Sequence, residues 1–94
     1  MSDRKKKTLL VSGHTDVTKL AGAIAKSIRD QDDVMLSCLG AAAIHTAGKA
    51  LAAARAYLVS GKIALRERPF FELTKVDGAD RNLMCVSLEP YAMY

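Results

Sequence analysis

Two short apolar runs, residues 8–12 (TLLVS) and 33–39 (DVMLSCL), each lead into a segment whose apolar residues repeat at helical spacing. This strand-helix-strand-helix order restricts the fold more than any other feature. A strand that crosses over through a helix pairs in parallel with the next strand, and crossovers of one hand place both helices on one face of the sheet. In the first helical segment Val17, Leu20, Ala21, Ile24 and Ile28 share a face, with Lys19, Lys26, Arg29 and Asp30 opposite. That spacing predicts an amphipathic helix ending near Gln31, with Asp16 or Thr15 as its N-cap. In the second strand Val34, Leu36 and Cys38 alternate with Met35, Ser37 and Leu39.

Gly40 ends that strand, and a second helix is predicted to reach about Val59. Ser60 and Gly61 form its exit, with Gly61 expected at positive φ. Residues 62–68 alternate as a strand, Pro69 marks a bend or an edge position, and residues 70–76 continue. DGAD at 77–80 reads as a hairpin turn, and residues 82–89 return with Met84, Val86 and Leu88 toward the core. The order β-α-β-α-β-β predicts an α/β two-layer sandwich, two helices on one face of a four-stranded sheet. With 94 residues the chain reads as one domain over 8–94, of a size that often gains stability by oligomerising.

The second helix is unusual in its alanines, at 41–43, 47, 50, 52–54 and 56. On a helical wheel Ile44, Ala47, Leu51, Ala54 and Leu58 form the core stripe. Opposite lie His45, Lys49, Ala52 and Ala56, flanked by Ala42, Ala53 and Thr46. A merely solvated face usually carries longer charged side chains, whereas small ones let another backbone approach. One reading is a homodimer through His45, Lys49, Ala52, Ala53 and Ala56; the other is alanine chosen for helix propensity.

Fourteen Lys and Arg against ten Asp and Glu give a net charge of +4. Arg4, Lys5, Lys6 and Lys7 fall in residues 1–7, which read as a basic flexible tail; without that segment the charge is +1. The tail is either simply solvated or an electrostatic aid to binding a polyanion. The apolar run after it is far too short for a signal peptide or a membrane span. Two cysteines without metal spacing fit a reducing, cytoplasmic setting.

Parallel pairing of the first two strands brings both strand-to-helix loops to one edge. Ser12, Gly13, His14 and Thr15 form one; Gly40, Ala41 and Ala42 form the other. Each leads into a helix N-terminus, whose amides and positive dipole end suit a phosphate, although such loops are also ordinary turns. His14 is either a phosphate contact or a solvent-facing turn residue. Neither His14 nor His45 has a carboxylate partner at coordinating spacing, so no metal site is expected. Cys38 and Cys85 read as buried thiols. With no acid–base pair and no cofactor motif, no catalytic residue is assigned and no enzyme activity is expected. Arg66, Arg68, Lys75 and Arg81 line the hairpin, either as an arm along a nucleic-acid backbone or as a solvated mixture with Glu67, Glu72, Asp77 and Asp80. Phe70 and Phe71 are candidates for base stacking, although neighbours in a strand require one of them to face the core.

The runs SGHTDVTKLAGAIAKSIRD, LGAAAIHTAGKALAAAR and PFFELTKVDGADRNLMCVSLEP resemble the stage V sporulation protein S (SpoVS) family, in order and with few gaps over about residues 8–90. The resemblance implies a small bacterial regulator of sporulation or development, with the fold of the Alba nucleic-acid-binding proteins. It further implies a homodimer that meets DNA or RNA through residues 12–15, residues 40–42 and the arm at 66–81; the residues themselves suggest no membrane partner and no small-molecule cofactor. The alternative is a protein-interaction or self-assembly module that binds no nucleic acid.

Overall fold

The computed structural model describes residues 4–93. Its elements are β1 (Lys6–Val11), α1 (Val17–Arg29), β2 (Asp33–Cys38), α2 (Ala41–Leu58), a 3-10 turn (Val59–Gly61), β3 (Ile63–Val76) and β4 (Ala79–Ala92). One four-stranded sheet has the order β1-β2-β4-β3. β1 and β2 are parallel, and β4 runs antiparallel to both β2 and β3. Both helices lie on one face, and the thinnest dimension of 18 Å matches one helix layer on one sheet. The predicted two-layer sandwich is therefore the fold found.

α1 starts and stops where its residues dictate. Asp16 adopts an extended φ/ψ and its carboxylate accepts from the Lys19 amide at 3.0 Å, an N-cap. Leu20, Ala21, Ile24, Ala25 and Ile28 are buried. α2 buries Ala43, Thr46, Ala47, Ala50, Leu51, Ala54 and Leu58, so part of its alanine content lets the helix lie close to α1 and the sheet. Ile24, Leu36, Leu58 and Leu65 are the largest side chains that are fully buried. Burying each such side chain contributes about 1.5–3 kcal/mol. The Arg29 guanidinium donates to the Tyr57 carbonyl at 2.6 Å and ties the helix ends together.

Four expectations need correction. β1 takes in Lys6 and Lys7, which the charge pattern places in a tail; the Asp33 amide donates to the Lys5 carbonyl at 2.8 Å, so pairing with β2 draws this segment into the sheet. Ile44 is 42 % exposed rather than part of the core stripe, because the buried arc of α2 turns toward α1 and ends short of it. Lys62, not Gly61, takes the left-handed conformation after the 3-10 turn, at φ 56°. Finally, neither Phe70 nor Phe71 is enclosed. They are 37 % and 68 % exposed, because the hairpin leaves the helix layer at this point.

The hairpin is longer than its sequence signals suggest. β3 and β4 each span 14 residues and close through Asp77 and Gly78, at φ 53° and 80°. Two successive positive φ values are the mark of a two-residue hairpin turn matched to strand twist. Pro69 sits within β3, which is an edge strand and tolerates its missing amide.

Candidate nucleic-acid interface

The last residue of β2, Cys38, pairs with Met84, which in turn faces Phe71. Residues 72–76 and 79–83 therefore project beyond the carboxyl end of β2, by about 17 Å at strand rise. The loops after β1 and β2 emerge at that same end. Three structures thus meet there: residues 12–16, residues 39–41 and the projecting arm.

The two loops touch. A Cβ placed on Gly13 would lie 2.8 Å from the Cβ of Ala42, closer than real carbon atoms pack. Glycine at 13 is what allows the first loop to lie against the first turn of α2. The loops are not equivalent, however. In the first, the Ser12 amide donates to Thr15 Oγ1 at 2.9 Å, the His14 amide to Ser12 Oγ at 3.2 Å, and the Thr15 amide to the Ser12 carbonyl at 3.3 Å. The α1 terminus beyond it is closed by the Asp16 carboxylate. Three of its amides are thus engaged within the loop, and the Asp16 carboxylate places a negative charge at the helix end where an anion would sit.

α2 begins differently. Gly40 is the N-cap at φ 93°, with no side chain to cap the helix and no acidic residue in the first turn. Its first amides point out beside exposed Ala41 and Ala42 with the positive end of the helix dipole behind them. The expectation of two similar phosphate loops thus becomes one open terminus, buttressed by a self-satisfied loop that carries exposed His14. The signal for this asymmetry is present in the residues: Asp precedes one helix, and Gly followed by alanines precedes the other.

The basic candidates divide between the two ends of the sheet. Lys75 and Arg81 lie on the projecting arm, next to the turn that also carries Asp77 and Asp80. Lys49 is exposed on α2, about 12 Å along the axis from Ala41 at helical rise. Arg66 and Arg68 pair with Glu89 and Ser87, well back from the arm, and the Arg66 guanidinium lies 4.3 Å from the centre of the Tyr91 ring. Arg4, Lys5, Lys6 and Lys7 stand at the opposite end, where Lys6 pairs with Asp33 and Arg4 bridges Asp33 at 3.1 Å. There they line a polar groove with Lys26, Asp30 and Asp32. The dimer candidates His45, Ala52 and Ala56 are exposed and Ala53 is half-buried.

Two features escaped the residue patterns. One is a groove of about 370 Å³ between Ile44, Gly48 and Leu51 of α2 and Pro69, Met84 and Val86 of the hairpin. It lies beside the alanine face rather than on it, and exposed Phe71 and Leu73 extend its hairpin side. The other is that Cys85, unlike Cys38, is buried outside the main core cluster, on the sheet face away from the helices.

The SpoVS model, stage V sporulation protein S, matches residues 7–91. The chain belongs to this family. Among solved structures, the SpoVS-family chain is similar to Alba from Thermoplasma volcanium. The TM-score is 0.58 at 12 % identity, over 87 % of this chain and 95 % of that one. At that identity the likeness concerns the fold, which is Alba-like. No helix among the described residues is long and apolar enough to cross a membrane. No cluster of potential metal ligands occurs among the described residues.

The two thiols give a test of the core on both sides of the sheet. Burial is the main force raising Cys38 and Cys85 above the ordinary 9.0; Glu72 adds to it at Cys85, while a hydrogen bond from Ser37 opposes it. The folded state favours the neutral thiols, so their contribution to stability is full below about pH 9 and is lost as pH rises and the unfolded thiols ionise. The folded protein should leave both cysteines unmodified by a chromogenic disulfide reagent at pH 8. Both should titrate at once in guanidinium.

Proposed function

We propose that this SpoVS-family protein is a non-enzymatic, dimeric regulator that binds nucleic acid at the loop end of the sheet. The uncapped N-terminus of α2, held against Gly13 and flanked by the projecting arm, is the observation that carries this reading. A backbone phosphate sits over the amides of residues 41–43, with Gly40 and Ser12 beside it and His14 within reach. Lys75 and Arg81 follow the strand along the arm, where Asp77 and Asp80 limit the attraction. Lys49 adds a distant contact, while Arg66, Arg68 and Arg4 to Lys7 lie outside this footprint. Such contacts position a backbone and read no sequence.

Titrating labelled protein with duplex DNA or RNA tests the location. Amide resonances of residues 12–15, 40–43 and 75–81 should shift, with those of residues 5–7 unmoved. Shifts centred on residues 5–7 would move the site to the other end.

In this reading the apolar groove is the dimer contact, since Ile44, Phe71 and Leu73 expose apolar surface that a second copy covers. Changing Ile44 to Glu should halve the mass measured by light scattering, because a carboxylate in a dry contact costs about several kcal/mol. An unchanged mass would remove the groove from the dimer. The same groove favours a second reading, a protein-interaction module without nucleic acid. That reading prevails if no oligonucleotide binds at low salt while the groove variant still alters assembly.

A further inference from the structure

The face of the sheet away from the helices is ordered in rows by the strand registers. Leu10, Ser37, Cys85 and Phe70 form one row across β1, β2, β4 and β3. Thr8, Met35, Ser87 and Arg68 form the next; beyond it lie the pairs Lys6–Asp33 and Glu89–Arg66, one step past the last β2–β4 partners, Val34 and Leu88. On the arm side the same face continues through Leu83 and Glu72, then Arg81 and Thr74. Leu10 is 80 % exposed, Phe70 is 37 % exposed, and no helix covers either. The face mixes charges of both signs: Lys6, Arg66, Arg68 and Arg81 share it with Glu72, Glu89 and Asp33, and Arg4 bridges Asp33. A face of interleaved charges with an apolar central row offers a polyanion no continuous basic track and suits a copy of itself.

We propose that this face is a second homotypic interface, in which two copies stack sheet on sheet about a twofold axis lying along the Leu10–Phe70 row. That operation inverts each strand about its central residue. Leu10 and Phe70 then pack on their own copies. Arg68 comes opposite Glu72 of the second copy, and Glu89 comes opposite its Arg81, each pair occurring twice. The competing twofold runs parallel to the strands. It sets β1 over β3 at the same height, which brings Lys6 over Arg66 and Asp33 over Glu89. One axis pairs unlike charges and the other pairs like charges, and this difference selects the first. Stacked sheets sit about 10 Å apart and rotated by roughly 30°, which keeps the central row in contact and leaves the ion pairs within reach of Arg and Glu side chains.

Because the pairing is reciprocal, charge reversal tests it. Sedimentation or light scattering of the full chain at low salt should show Arg68→Glu with half the wild-type mass. Arg68→Glu combined with Glu72→Arg should regain it. Leu10→Asp, at an exposed position that the fold does not need, should also halve the mass and serves if the Arg68 variant fails to fold. Unchanged mass in Leu10→Asp and Arg68→Glu would overturn the proposal, as would a double-reversal variant no heavier than the single one. The groove contact is separable. A wild-type tetramer that either Arg68→Glu or Ile44→Glu reduces to a dimer, and both together to a monomer, supports both interfaces. A dimer dissociated by Arg68→Glu alone leaves the open-face contact and removes the groove. A dimer dissociated by Ile44→Glu alone overturns the open-face contact.

Discussion

Replacing Ala41 with glutamate should stabilise the fold and weaken nucleic-acid binding at the same time. Ala41 is exposed at the start of α2, where no side chain caps the helix and no acidic residue occupies the first turn. A carboxylate there meets the positive end of the dipole and adds about 0.3–1 kcal/mol of stability. The same carboxylate would lie about 5 Å from a phosphate held over those amides. At effective dielectric constants of roughly 20–80 the repulsion is about 1–3 kcal/mol, a loss of roughly 5- to 150-fold in affinity. Thermal melting and fluorescence anisotropy check the two halves. Opposite signs separate a site effect from a folding defect, since a variant that merely misfolds loses both. A variant that gains stability and keeps full affinity removes the α2 terminus from the site.

The second large effect is expected at Gly13. A methyl group there would lie 2.8 Å from the Ala42 Cβ, and the contact is with a side chain fixed at the start of a helix. Something must shift, at a cost of about 1–3 kcal/mol for an overpacked contact. The first loop is held by its own Ser12 and Thr15 hydrogen bonds, so it should move as a unit away from α2. Gly13→Ala should therefore lower the denaturant midpoint and reduce affinity. Adding Ala42→Gly should restore most of both, as neighbours that share one contact are not additive. Failure of that rescue would mean that the two loops do not depend on each other.

How much of this was legible in the residues depends on how much polarity they carry. α1 has charges on one side and aliphatics on the other, so its buried face followed from spacing, while the choice between Asp16 and Thr15 as N-cap needed the structure, which has Asp16. α2 has little polarity, and alanine suits a core, a contact or solvent equally. Its buried arc was consequently misjudged at Ile44, whose position depends on how far the hairpin extends over the helix. The hairpin length depends in turn on pairing between distant residues such as Ile63 and Ala92, which no local pattern reveals. Phe70 and Phe71 were misjudged for the same reason: alternation says which side of a strand a residue occupies, not whether anything covers that side. At the other end, Lys6 and Lys7 look like solvated tail and become strand because the Asp33 amide needs a partner. The loop end was placed correctly by parallel pairing alone. That Arg66 and Arg68 fall away from it was not visible until the register was known.

In the proposed function, oriented backbone amides rather than net charge would hold nucleic acid. The most direct test is an anisotropy titration of the wild-type protein with duplex DNA and with RNA across a range of salt concentrations. Few fixed cations face the loop end, so the logarithm of the binding constant should fall with the logarithm of salt at a slope of about −1 to −3, as for one to three phosphates. Changing Lys75 and Arg81 to Ala should flatten it by up to about two, while removing the charges of Arg4 to Lys7 should leave it as it was. No binding to either nucleic acid at low salt, or a slope set by Arg4 to Lys7 alone, would contradict it.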